Sequence, residues 1–117
     1  MMIQASCHCS AVTLTLAHAP TEVTECTCSI CRRYAVLWAY YPLAAVTIST
    51  GPTERYMWGK RSISFHRCGE CGCLTHWWPE GRLEDRMGVN ARLMNIDTLS
   101  TVRVRHLDGA GSEQYID

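Results

Sequence analysis

Three cysteines fall within six residues in Cys26-Thr27-Cys28-Ser29-Ile30-Cys31. The C-x-C-x-x-C spacing lets three sulfurs converge on one point. Zinc takes cysteine thiolates at about 2.3 Å in a tetrahedral shell. Three ligands fill three corners and leave the fourth open, which separates zinc that does chemistry from zinc that only closes a fold. Cys7 and Cys9 form a second C-x-C, Cys68 and Cys71 form a C-x-x-C, and Cys73 follows. Taken together, Cys7, Cys9, Cys68 and Cys71 complete a closed four-thiolate site that ties the start of the chain to a segment beyond its middle. The reading is therefore one closed site and one open site.

A divalent zinc with three thiolates carries a formal charge of minus one. It is a weaker Lewis acid than a three-histidine zinc, which argues against a water-activating hydrolase. A soft fourth ligand suits it better, and a thiol is the natural candidate. Coordination deprotonates a thiol. No Ser/His/Asp set, phosphate-binding glycine loop or carboxylate pair stands out. His66, His76 and Asn90 are candidates for proton transfer or substrate contact, against the plainer reading of locally satisfied strand residues. His8, between two ligand cysteines, points to solvent more often than to metal. Cys73 is read as a small buried hydrophobe, a reactive thiol or a replacement ligand.

The elements that must position these groups are short. The 117 residues fit one domain over 1–117. Metal clips would help to close its long loops. Ile3, Ala5 and Cys7 alternate with polar residues, as do Val12, Leu14 and Leu16, which predicts two strands across 2–17. Val23 leads into Cys26. Ser29 is placed to cap a short helix over 30–35, and the open corner then faces a helix start. Val36–Tyr41, Val46–Ile48, Arg55–Trp58, Ile63–Arg67, Leu74–Trp78, Met87–Asn90 and Val102–Val104 carry strand formers. Cys68-Gly69-Glu70-Cys71-Gly72-Cys73 reads as a knuckle with glycines suited to positive φ. The segment Asp108-Gly109-Ala110-Gly111-Ser112 reads as loop. Eight or nine strands and one helix predict a mainly β domain of short antiparallel strands.

Acids and bases balance at 11 each, which argues against a nucleic-acid footprint and a polybasic membrane anchor. No apolar run approaches the roughly 18 residues of a membrane helix, and the start lacks a signal-peptide pattern. The eight cysteines then point to metal in a cytoplasmic protein, with four disulfides as the arithmetical alternative.

Cys7-His8-Cys9-Ser10-Ala11-Val12, Cys26-Thr27-Cys28-Ser29-Ile30-Cys31-Arg32-Arg33 and Phe65-His66-Arg67-Cys68-Gly69-Glu70-Cys71-Gly72, in that order, resemble the glutathione-dependent formaldehyde-activating enzyme family. Val89-Asn90-Ala91-Arg92 and Asp108-Gly109-Ala110 add to the likeness, which spans roughly 3–110. The resemblance implies an Mss4-like zinc-binding β fold. It implies structural zinc on Cys7, Cys9, Cys68 and Cys71, and a second zinc on Cys26, Cys28 and Cys31 near which glutathione binds. The implied reaction is a carbon–sulfur lyase or synthase step that joins glutathione to formaldehyde. Glutathione has two carboxylates, and Arg32 and Arg33 adjoin the metal loop as candidate partners, with a solvated helix face as the alternative. Trp38, Tyr40 and Tyr41 are read as pocket wall or strand core. The sequence departs from the family in placing Tyr34-Ala35-Val36 where a glycine often follows Cys-Arg-Arg. Rival readings are an enzyme for another thiol or aldehyde adduct and a zinc module that binds a protein partner.

Overall fold

Alternating apolar positions build two sheets that share one core. The computed structural model describes residues 2–49, 51–81 and 84–117. Strands β1 (Ile3–Ser6) and β2 (Thr13–Leu16) pair antiparallel, and β5 (Val46–Ile48) adds to β2. The larger sheet contains β3 (Glu22–Cys26), β4 (Trp38–Tyr41), β6 (Thr53–Tyr56), β7 (Ile63–Cys68), β8 (Leu74–Pro79), β9 (Met87–Asn90) and β10 (Arg103–Leu107). Its order is β10-β3-β4-β9-β8-β7-β6. The mainly β reading therefore holds.

Period-two alternation gives the larger sheet two different faces. Ala39, Tyr41, Met87 and Val89 pack with Leu14 and Leu16 in the main core. Trp38, Phe65 and Trp77 form a second cluster with Cys26 and Cys31. Tyr40, Gly88 and Trp77 lie side by side on this second face. Gly88 is needed there, because a Cβ would land inside the Trp77 indole. The chemistry-bearing loop thus rests on an aromatic face of the sheet.

Three local expectations change. The helix α1 spans Cys31–Tyr34, and Ser29 does not cap it. The Cys28 sulfur instead accepts from the Cys31 N–H at 3.4 Å, so a candidate ligand does the work of the capping hydroxyl. The helix ends at Ala35, in the left-handed region at φ 54°, a conformation that glycine adopts at least cost. A second helix, α2 (Ile96–Leu99), follows the Asn95 cap. Lastly, β10 pairs with β3 in parallel, not antiparallel. The crossover through α2 makes that possible, since parallel neighbours need a long connection. It also explains why Glu22–Cys26 is a full strand with little pattern of its own: neighbours on both sides supply its hydrogen bonds.

The segment after β10 folds back on it. Leu107 bridges Tyr115, and Tyr115 shares a hydrogen bond of 2.7 Å with Thr24. His106 Nδ1 meets Asp117 Oδ2 at 2.6 Å. The Asp117 contact raises the His106 pKa above 6.5, and the His106 contact lowers that of Asp117 below 3.8. The histidine's contribution is complete below 6.5 and is lost as pH rises through its elevated value. The aspartate's is complete above 3.8 and is lost as pH falls through its depressed value. Amide protection factors across 106–117 should therefore be greatest between 3.8 and 6.5. They should fall on either side, as hydrogen exchange would measure, and Asp117→Asn should flatten the profile.

Candidate functional site

All eight cysteines are free thiols, and seven gather into two clusters. Cys7, Cys9, Cys68 and Cys71 form one; Cys26, Cys28 and Cys31 form the other. Within each cluster the sulfurs lie within 4.8 Å of one another. A tetrahedron with metal–sulfur bonds of about 2.3 Å has edges of about 3.8 Å. The sulfurs of Cys7 and Cys9 are 3.8 Å apart, and those of Cys9 and Cys68 are 3.6 Å apart. The closed cluster is thus spaced to hold zinc.

Two turns make the closed cluster. Cys7 and Cys9 sit in the reversal between β1 and β2, while Cys68 ends β7 and Cys71 sits in the turn that follows it. Gly72 takes φ 80°, as the knuckle pattern predicts, whereas Gly69 does not take a positive φ. Backbone N–H groups point at the sulfurs: Val12 to Cys7 at 3.3 Å, Glu70 to Cys68 at 3.4 Å and Cys71 to Cys68 at 3.5 Å. Such donors favour thiolates. The Cys73 and Cys9 N–H groups lead in pulling the Cys71 thiol down to about 5. Cys73 lies outside the four-sulfur set and packs partly buried against the main core. His8 is exposed.

The second cluster is built at the junction of β3 and α1. Cys26 ends the strand, Cys28 lies in the turn, and Cys31 opens the helix. Cys28 N–H faces the Cys26 sulfur at 3.5 Å, and Trp38 Nε1–H donates to the Cys31 sulfur at 3.4 Å. Cys26 and Cys31 compete for one proton. The Cys31 thiol lowers the Cys26 pKa to about 6, and the same contact, with burial, raises that of Cys31. Among the described residues no fourth His, Cys, Asp or Glu joins this set. It can hold a metal and keep one corner free.

All three cysteines line a cavity of about 360 Å³, within the range of pockets that enclose small ligands. Trp38, Tyr40, Phe65 and Trp77 supply its aromatic wall, while Lys60 and Arg86 supply its cations. Arg86 stacks 4.4 Å over the Tyr40 ring and meets Glu84 at 3.4 Å. Arg32 and Arg33 do not line this cavity. Arg33 lines a neighbouring pocket that shares Ile30, and Arg32 lines a separate hollow with Arg92, which Cys26 and Cys31 also line. Tyr41 belongs to the main core, where its hydroxyl donates to the His18 carbonyl at 3.0 Å.

The sequence of the glutathione-dependent formaldehyde-activating enzyme family matches this chain over residues 2–106. The chain belongs to that family. No curated protein matches it. A crystal structure of a Rhodobacter sphaeroides protein from structural genomics is similar, with a TM-score of 0.71 and 27% sequence identity. The likeness covers 87% of this chain and 99% of that one.

In this family member, the two histidine candidates lie away from the cavity, whereas Asn90 sits opposite Trp38 on the cavity side of the sheet without lining the cavity itself. His66 and His76 stack at 4.4 Å on the sheet face opposite Phe65 and Trp77. Burial, followed by the neighbouring imidazole, lowers the His76 pKa to about 3. Asn90 donates to the Leu74 carbonyl at 2.9 Å and accepts from Arg92 N–H at 3.1 Å, which uses its amide for backbone. Lys60 and Arg86 were not legible as site residues, because no motif surrounds them. Gly109 was missed too. Its backbone N–H helps to favour the Cys26 thiolate, and a Cβ there would collide with the Cys26 sulfur.

Gly109→Ala should displace Cys26 and cut the metal content by about half, with a small change in Tm. Cys68→Ser should instead lower Tm by roughly 10 °C or more, because a structural metal contributes folding free energy directly. Metal analysis and calorimetric melting of both variants check this division of labour.

Proposed function

We propose that the protein joins glutathione to formaldehyde at the three-cysteine corner and gives S-(hydroxymethyl)glutathione. The cavity carries this reading: its floor is a three-sulfur set with no fourth ligand among the described residues, and its wall presents two cations. Cys26, Cys28 and Cys31 would hold a zinc, which would supply a soft corner that favours the thiolate form of an incoming thiol. The four sulfurs of Cys7, Cys9, Cys68 and Cys71 would hold a second, structural zinc. Seven thiols gathered for metal and an eighth left free suit a reducing, cytoplasmic setting.

The chain's own groups do the rest. Lys60 and Arg86 line the cavity and are the candidate partners for the two carboxylates of glutathione, and Arg86 stacks on the Tyr40 ring. Arg33 lines the neighbouring pocket, and Arg32 shares a separate hollow with Cys26 and Cys31. Trp38 Nε1–H steadies Cys31 and so the geometry of the set. In the reaction the glutathione sulfur forms a bond to the carbonyl carbon. The carbonyl π pair moves to oxygen, which takes up a proton equivalent to the one the thiol released. Formaldehyde is already electrophilic, so holding both reactants together provides most of the gain.

Calorimetric titration of glutathione into the zinc-loaded protein tests the reading. Binding should vanish in a folded Cys28→Ser variant. It should weaken about tenfold in Lys60→Ala or Arg86→Gln, because each change removes one charge-assisted contact. No binding to a wild-type protein that carries two zincs rejects the reading.

A further inference from the structure

The loop that carries the three sulfurs is gripped by a turn that does not line the cavity. Gly109 lies flush against the loop: a Cβ there would collide with the Cys26 sulfur and stand 3.1 Å from Cys28 Cβ. Thr27, between these two cysteines, is tied to the same turn. Its Oγ1 accepts from the Ala110 N–H at 3.2 Å, and its own N–H donates to the Leu107 carbonyl at 3.1 Å. Backbone groups of 107–110 thus bear on Cys26, Thr27 and Cys28 in succession.

Asp108 organises that turn. Its Oδ2 accepts from the Ser112 N–H at 3.0 Å, and the Thr27 hydroxyl and the Gly111 N–H also reach the carboxylate. The Asp108 carbonyl accepts from the Gly111 N–H at 3.2 Å and the Glu113 N–H at 2.7 Å, while the Asp108 N–H donates to the Gln114 carbonyl at 2.9 Å. Glu113 sits at φ 59°, in the left-handed region. A residue with a long side chain stays there only when its surroundings impose it. Asp108 does not line the cavity, so its place is behind the loop and not beside the reactants.

We infer that Asp108 is a positioning residue for the three-sulfur corner. Its carboxylate shapes the turn that sets Gly109 on Cys26 and latches Thr27, and so keeps the Cys26 sulfur converged on the other two. The Gly109 N–H bears on the Cys26 sulfur. A hydrogen bond there draws charge from a thiolate, which would leave a bound zinc the better acceptor for an incoming thiol. The inference rests on the reading of Cys26, Cys28 and Cys31 as a metal set. It adds to that reading a residue that neither ligates nor touches substrate.

The test withdraws zinc from the zinc-loaded full chain with a chelator of known affinity. Wild type should release its zinc in two steps, the first from the three-sulfur set. Loss of a group that holds a ligand in place costs tenfold to hundredfold in metal affinity, so Asp108→Ala should weaken the first-released zinc by about tenfold or more and leave the second unchanged. Asp108→Asn keeps an acceptor for the Ser112 N–H and should restore most of the affinity. Thr27→Val cuts the latch at its other end and should fall between wild type and Asp108→Ala. Cobalt, added to chain that already carries one zinc, reports on the ligand set through its sulfur-to-metal absorption. Loss of Cys26 would leave two thiolates of three, so Asp108→Ala should lose about a third of that band. Equal zinc release and equal cobalt spectra in wild type and Asp108→Ala overturn the inference and leave the metal reading standing. Release of both zincs together from Asp108→Ala also overturns it, because the residue then serves the fold as a whole. A wild type that takes up only one metal rejects the metal reading, and the inference falls with it.

Discussion

Sulfur crowding is the constraint on which this structure depends. Four sulfurs in one cluster and three in the other lie within 4.8 Å of each other. Thiolates this close repel strongly, and in a partly dry setting the repulsion is greater. The chain answers by aiming backbone N–H groups at the sulfurs from turns that are themselves held by the sheets. A cation at the centre of each cluster would remove the remaining repulsion, so that metal binding and the closing of those turns would become one event. The first cluster clamps the β1–β2 turn to the β7–β8 turn, across a long sequence separation. The second cluster clamps only a local turn, and its free corner is the consequence.

The division between clamp and corner shapes the rest of the molecule. One face of the large sheet is given to the common core with the small sheet. The other is given to aromatic residues that surround the corner. The segment beyond β10 completes the site, since Gly109 closes against Cys26 only because β10 lies parallel to β3 and delivers the chain to that point. A strand pairing far from the chemistry thereby fixes the position of one sulfur.

Much of this was legible in the sequence, for a physical reason. Cysteines at C-x-C and C-x-x-C spacing carry their geometry locally, so the two sets and the mainly β architecture could be read from spacing and alternation. What could not be read depends on distant parts of the chain meeting. The β3–β10 parallel pair arises through α2 and has no local pattern. Lys60 and Arg86 look like ordinary surface cations until β6–β7 and β8–β9 bring them to one cavity. Arg32 and Arg33 were singled out because they adjoin the metal loop, yet consecutive residues on a helix point about 100° apart. Each therefore lines a different hollow. The Ser29 cap was displaced because a nearby sulfur is held where it can take the same N–H.

The account's central claim is that one metal site is closed and the other keeps a corner for a thiol. X-ray absorption at the zinc edge on the zinc-loaded protein, before and after glutathione, tests it most directly. Four sulfurs at one site and three at the other average (4 + 3)/2, or about 3.5 sulfurs per zinc. Addition of glutathione should raise the average to about four and remove an oxygen or nitrogen neighbour. An average of four before any thiol is added, or no change on adding it, would contradict the account.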